Sequence, residues 1–188
     1  MSEPAQNKRS VVEVLTEDHR EVEQLFNQAR SAVDGATRRD IANKIIAELV
    51  RHAVAEKQHL YPAIREHLPD GVRRADQEMS EHARAEEKLK GLETVRGDDP
   101  QMQALLDDLE TDVAGHVRKE EQELFPELVE RVTPTVLVDL GDDVMRAEAL
   151  APTRPHPGSP ERAPLNKLVT PGAGFIDRVR DLLSGRDV

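Results

Sequence analysis

Four histidines and two glutamates in this chain stand where they could gather cations. Residues 52–62, HAVAEKQHLYP, and residues 116–126, HVRKEEQELFP, each place a Glu four residues after a His, then Gln, Leu, an aromatic residue and Pro in matching places. On an α-helix, residues i and i+4 lie about 40° apart around the axis and about 6 Å apart along it. Side chains at that spacing converge, so an HxxxE pair can bind one ion through its imidazole and reach a second through its other carboxylate oxygen. His52 with Glu56 and His116 with Glu120 thus offer two imidazoles and two bridging carboxylates, and His19 and His82 would close the two ends. Neutral imidazole suits iron, manganese or zinc, and carboxylate bridges suit a pair of hard or borderline cations such as iron.

The pattern is internally repeated. His52 and His116 are 64 positions apart, and His19 and His82 are 63 apart. EDHREVEQL (17–25) also resembles SEHARAEEKL (80–89), with a Glu four residues after each His. The chain reads as two related helical hairpins, each contributing one His and one HxxxE. A lone HxxxE is more often a surface pair or a satisfied core histidine; two in matched context favour a metal site. Glu23 and Glu86, four residues after His19 and His82, read as stripe-edge ion pairs, with a role holding an imidazole or as extra ligands the sharper alternative. His59 follows Glu56 by three residues and reads as a polar group at a helix end, with a pocket role as the alternative. Tyr61 and Phe125 read as core caps, and His67 and His156 have no partners in the pattern.

Helices must position these groups. Leu15, His19, Val22 and Phe26 recur at steps of four, three and four, as do Ile45, Leu49, His52, Glu56 and Leu60 at similar steps. Met79, His82, Glu86 and Leu89 form a third stripe, and Leu105, Leu109, Val113, His116, Glu120 and Leu124 a fourth. Each stripe keeps to one face of a helix, so each helix carries a His on its inward side. An unpaired buried polar group costs about 1–3 kcal/mol, against a net domain stability of about 5–15 kcal/mol. These groups must therefore satisfy one another or point at cations.

The expected helices run from Ser10, with Glu13 as its capping-box partner, to Ser31; from near Thr37 to His67; from the Pro69-Asp70-Gly71 turn to Gly97; and from Asp99-Pro100 to Val132. Short connections make this an all-α, up-down-up-down four-helix bundle over 10–132. Residues 1–9 read as a disordered N-terminus, 133–150 as an additional helix on the end or side of the bundle, and 151–174 as a Pro/Gly-rich linker. Residues 175–188 read as a short amphipathic tail helix, with Phe175, Ile176, Val179, Leu182 and Leu183 on one side, able to dock on the domain or on a protein partner.

Composition excludes several classes. Aromatic residues are 2% and charged residues 34%, which is helix rather than sheet composition. A formal net charge of −11 argues against binding to nucleic acid or anionic membrane. With no Cys there is no disulfide, zinc knuckle, iron–sulfur ligation or thiol catalysis. The polar start and the lack of a long apolar run lead to the expectation of a cytoplasmic protein.

DHREVEQLF, HAVAEKQHLYP, EHARAEEKL and HVRKEEQELFP, in that order, resemble the hemerythrin-like (HHE cation-binding) family over about residues 10–132. The resemblance implies a bundle around a non-haem di-iron centre, with His19, His52, His82 and His116 as ligands and Glu56 and Glu120 as bridges. Oxygen-carrying members have a second His in the third helix, where Glu86 stands, and an Asp five residues after the last His, where this chain has Glu120 at four. That departure implies a harder, more oxidised centre, closer to members associated with peroxide, nitric oxide or iron sensing than to simple oxygen carriage. Two functions follow as expectations: a di-iron protein that binds or processes O2, NO or H2O2, with catalase-like activity as its enzymatic form, or a metal-dependent, iron-sensing interaction module read out through the tail. A ferritin-like carboxylate bundle would need two ExxH motifs, and only Glu56–His59 has that spacing.

Overall fold

The computed structural model describes residues 8–155 together with Asp181 and Val188, and every element among them is helical. Helix α1 spans Val11–Ser31, and its Ser10–Glu13 capping box is present in both directions. Helix α2 spans Gly35–Ala55 and is capped by Asp34, whose side chain accepts from the Thr37 backbone N–H. The expected start near Thr37 is thus two residues late, because the carboxylate before Gly35, not the hydroxyl after it, satisfies the free N–H groups. A π-helical turn, Glu56–Leu60, then leads without a break into α3, Tyr61–His67. Helix α4 spans Gly71–Thr94. Helix α5, Gln101–Lys119, passes through a second π-helical turn, Glu120–Leu124, into α6, Phe125–Arg131. Asp99 caps α5 by accepting from the Gln101 N–H.

The two π turns share one physical cause. Tyr61 N–H donates to the Glu56 carbonyl and Phe125 N–H to the Glu120 carbonyl, each reaching back five residues. A proline follows immediately, Pro62 in one helix and Pro126 in the other. Proline has no N–H to give, and its ring presses on the carbonyl four residues back. A widened turn relieves that pressure and accommodates one extra residue.

Around the bundle, α1 packs beside α2 and α5, and α4 packs beside α2, α3 and α5. This is an up-down-up-down bundle. The extra helix α7, Pro134–Leu150, lies along its side against α1, α2 and the first π turn. A Cβ on Gly141 would run into the Arg9 carbonyl, so the close approach of α7 to the start of α1 requires glycine there.

The core is in two parts. One cluster gathers Leu15, Leu60, Ile64, Met79, Phe125 and Leu128 with Leu137 and Val144 of α7. The other gathers Val22, Phe26, Ile45, Leu89, Leu92 and Leu106. Along each chain segment the histidines fall between the two.

The stretch expected to start a loose linker is seated instead. Ala151, Pro152, Thr153 and Pro155 are buried, and Arg154 bonds to Glu93 of α4 at 2.7 Å and to Asp181 at 2.5 Å. The apolar stripe of the tail lies outside the described residues. Among those described, no helix is long and apolar enough to cross a membrane.

Candidate metal centre

Each long helix delivers one histidine to the middle of the bundle. His19 from α1 and His52 from α2 sit with ring centroids 5.0 Å apart, and His82 from α4 and His116 from α5 sit 4.7 Å apart. Between the two pairs lie Glu56 and Glu120, the first residues of the two π turns, both fully buried. Glu56 divides its oxygens: Oε1 is 3.3 Å from His52 Nε2, while Oε2 is 3.3 Å from His82 Nε2 and 3.9 Å from His116 Nε2. Glu120 Oε2 lies 3.4 Å from both His19 Nε2 and His116 Nε2. The six residues singled out by type and spacing thus share one centre.

The outer nitrogens are also held. His19 Nδ1 is 2.9 Å from Glu121, itself paired to Arg20 at 2.6 Å. His52 Nδ1 is 3.3 Å from Asp18, and His116 Nδ1 is 3.0 Å from Glu78, which Lys119 pairs at 2.5 Å. Carboxylates on the outer nitrogens fix the rings so that the Nε2 lone pairs face inward. Tyr61 is buried at the centre, where its hydroxyl donates to Glu56 Oε2 at 3.1 Å and lies 3.1 Å from His82 Nε2.

Burial and charge act together on these groups. Burial alone would push His52 and His116 down, but Glu56 and Asp18 around the first, and Glu120, Glu56 and Glu78 around the second, outweigh it and hold both well above the usual imidazole range. His82 goes the other way, pushed well below that range by burial and by the charge on His116. Glu56 stays ionised against its burial through His52 and His116, whereas burial and the neighbouring Glu56 raise Glu120. Burial and the surrounding carboxylates push the Tyr61 phenol well up, so it remains a donor.

The donor set fits cations. Among the described residues, His19 Nε2, His52 Nε2, Glu56 Oε1 and both Glu120 oxygens are buried without a hydrogen-bond partner. One ligand atom each from His19, His52, Glu56 and Glu120 lie within 4.8 Å of one another, as do those from Glu56, His82 and His116. A cation between them answers several orphaned lone pairs at once.

Three further candidates do not reach this centre. Glu23 is exposed on the outer face of α1, because four residues beyond His19 the stripe has already turned outward. Glu86 is 3.5 Å from Lys57, at the wall of the adjoining cavity. His59 lies within the π turn, which swings it away from Glu56 so that its Nδ1 is 3.7 Å from Asp143 of α7. Sequence reasoning passed over Asp18, Glu78 and Glu121, and cast Tyr61 as a core cap. Glu78 stands one turn before His82 on the same helix, but the ring it holds is His116 of the neighbouring helix. Asp18 and Glu121 adjoin ligand positions but serve histidines of neighbouring helices, which only packing reveals.

Comparison with known proteins agrees with this geometry. Residues 10–128 match the family described as Hemerythrin HHE cation binding domain. A hemerythrin-like protein of Schizosaccharomyces pombe is 25% identical over 174 residues, covering 92% of this chain and 86% of its own length. A DNA nickase of Nostoc is 29% identical over 117 residues, which cover 62% of this chain but only 32% of the nickase. The crystal structure of a hemerythrin HHE cation-binding domain-containing protein of Mycobacterium kansasii superposes with a TM-score of 0.65 at 22% identity, covering 75% of this chain and 86% of the other, a likeness of fold.

Proposed function

Because this chain belongs to the hemerythrin HHE cation-binding family and is a metal-binding protein, we propose that His19, His52, Glu56, His82, His116 and Glu120 hold two iron ions that bind or process a small oxidant, O2, NO or H2O2. The observation that carries this reading is the division of Glu56, one oxygen toward each histidine pair, with Glu120 placed alike between His19 and His116. Imidazole nitrogens with carboxylate oxygens and no thiolate suit iron, as they do manganese or zinc, and the elemental analysis below distinguishes the three. When bound, a pair of iron ions supplies open positions and reversible electron transfer toward such oxidants.

The chain's own groups do the rest. Asp18, Glu78 and Glu121 orient the rings, and the Tyr61 hydroxyl steadies Glu56 while keeping a proton beside His82 Nε2. Apolar clusters flank the centre on two sides, and the adjoining cavity opens onto its histidines.

A second reading, metal sensing through an interaction surface, is favoured by one contact. One ligand atom each of Glu148 of α7, Asp18 and His52 lie within 4.8 Å of one another, so the helix outside the four-helix bundle reaches the edge of the proposed centre. Metal analysis of the purified chain, with absorption spectra before and after peroxide, separates the two. About two irons per chain with a spectrum that peroxide changes and oxygen released supports oxidant handling. Two irons without response favours sensing, and a chain that takes up no metal on reconstitution removes both.

A further inference from the structure

A cavity of about 450 Å³ adjoins the histidine layer on the side of the Val22–Leu89 cluster. Its volume is roughly fifteen times the ~30 Å³ that a water molecule takes in the liquid. A diatomic gas or peroxide, the class of ligand assigned to the metals, would leave almost all of it unfilled. It falls instead in the range of about 300–1,000 Å³ of sites for organic ligands. Among the described residues Val22, Leu49, Val50, Leu89 and Val113 supply much of its apolar wall and the four centre histidines border it, while charged groups such as Lys57, Arg84 and Glu86 also line it.

Access is framed between α4 and α5. Lys88 of α4 pairs with Asp108 and Asp112 of α5 at 2.7 and 2.6 Å, and Lys119 of α5 pairs with Glu78 and Glu81 of α4 at 2.5 and 3.1 Å. From Glu81 to Lys88, and from Asp112 to Lys119, is two turns, so about 10 Å of helix lies between the two brackets. There the facing wall residues are small, Ala85 and Gly115. Gly115 is helical with no neighbour within 4 Å of an added Cβ, so no packing within the described chain requires glycine there. Glycine weakens a helix interior relative to alanine, and here it leaves the window clear.

The geometry points to a binding site for a compact organic molecule of about ten non-hydrogen atoms, with an apolar body and one oxygen donor. It would enter between α4 and α5, with its body against Val22, Leu89 and Val113 and its oxygen at the histidine layer. The placement of the oxygen rests on the metal reading above; the apolar cavity and its window do not.

4-Propylphenol, which has an apolar body and a single oxygen and is followed by its ultraviolet absorption, is the probe. Equilibrium dialysis of the iron-loaded chain should show about one 4-propylphenol bound with a submillimolar Kd. Gly115→Leu should weaken binding tenfold or more with iron content unchanged. Gly91→Leu is the matched control: that position is also open around an added Cβ but lies outside the cavity lining, and its binding should equal that of the unaltered chain. Leucine favours helix over glycine, so both variants should fold. Absence of binding by the iron-loaded chain up to millimolar probe, or equal binding by both variants and the unaltered chain, overturns the proposal. If the chain takes up no iron on reconstitution and still binds the probe through the Gly115 window, the di-iron reading falls and the cavity assignment stands.

Discussion

At the residue scale the centre turns on Glu56 and Glu120, the two groups that face both histidine pairs. Replacing either with alanine should drop metal from about two ions per chain to one or fewer, measured by elemental analysis, while far-ultraviolet circular dichroism keeps its helical signal. Full retention of two ions in both variants would sink the bridge assignment, and His67→Ala is the control expected to change nothing. The same residues set a proton linkage. In the metal-free chain His52 and His116 are held well above the ordinary imidazole range, so both carry protons at neutral pH. A metal must displace them; uptake therefore releases protons, and affinity falls as pH is lowered. Titration calorimetry in two buffers of different ionisation enthalpy should show a heat difference of matching sign. Residue type and spacing sufficed to find the six central groups because each sits on its helix's own apolar stripe. The groups that hold their outer nitrogens were not legible in the same way. Asp18 serves His52 and Glu121 serves His19, pairings made between helices, not along one.

At the scale of elements, the long second and fourth helices are not uniform rods. Each widens into a π turn that begins at its central glutamate, Glu56 or Glu120, and ends just short of a proline. The Leu-aromatic-Pro repeat was visible in the sequence and its structural meaning was not, since a steady period of 3.6 residues was assumed through it. His59 shows the difference: a 3.6-residue period places it on the inward face, and the wide turn sends it toward α7. Pro62→Ala restores an N–H that can bond four residues back and so favours the ordinary α turn. We expect it to keep the helical content but weaken the more loosely held metal by about tenfold, roughly 1.4 kcal/mol, as measured by competition with a chelator. Unchanged affinity would mean that the turn is held by packing of Tyr61 and Leu60, not by the proline.

At the scale of the whole molecule, the bundle was readable from four amphipathic stripes and short connections, whereas the seating of residues 151–155 was not. Proline-rich composition argues for a loose chain, but Arg154 ties that stretch to Glu93 and Asp181. Removing the guanidinium takes one charge-assisted bond from each of two largely buried carboxylates, Glu93 and Asp181, which Lys90 and Thr153 still hold, so Arg154→Ala should cost about 1–3 kcal/mol, seen as a lower thermal midpoint with metal content unchanged. An unchanged midpoint would show that Ala151, Pro152 and Thr153 seat the stretch without the arginine.

Two apolar clusters divided by a charged layer make a beam with a seam across its middle. Among the described residues neither apolar cluster extends across that seam to the other in the metal-free chain, and each half can loosen on its own schedule. Amide hydrogen exchange of the metal-free chain should then show two protection levels, one for each half, with the change at the histidines. Metal would act as a rivet through the seam, merging the two levels into one and making the bundle open as a single cooperative unit.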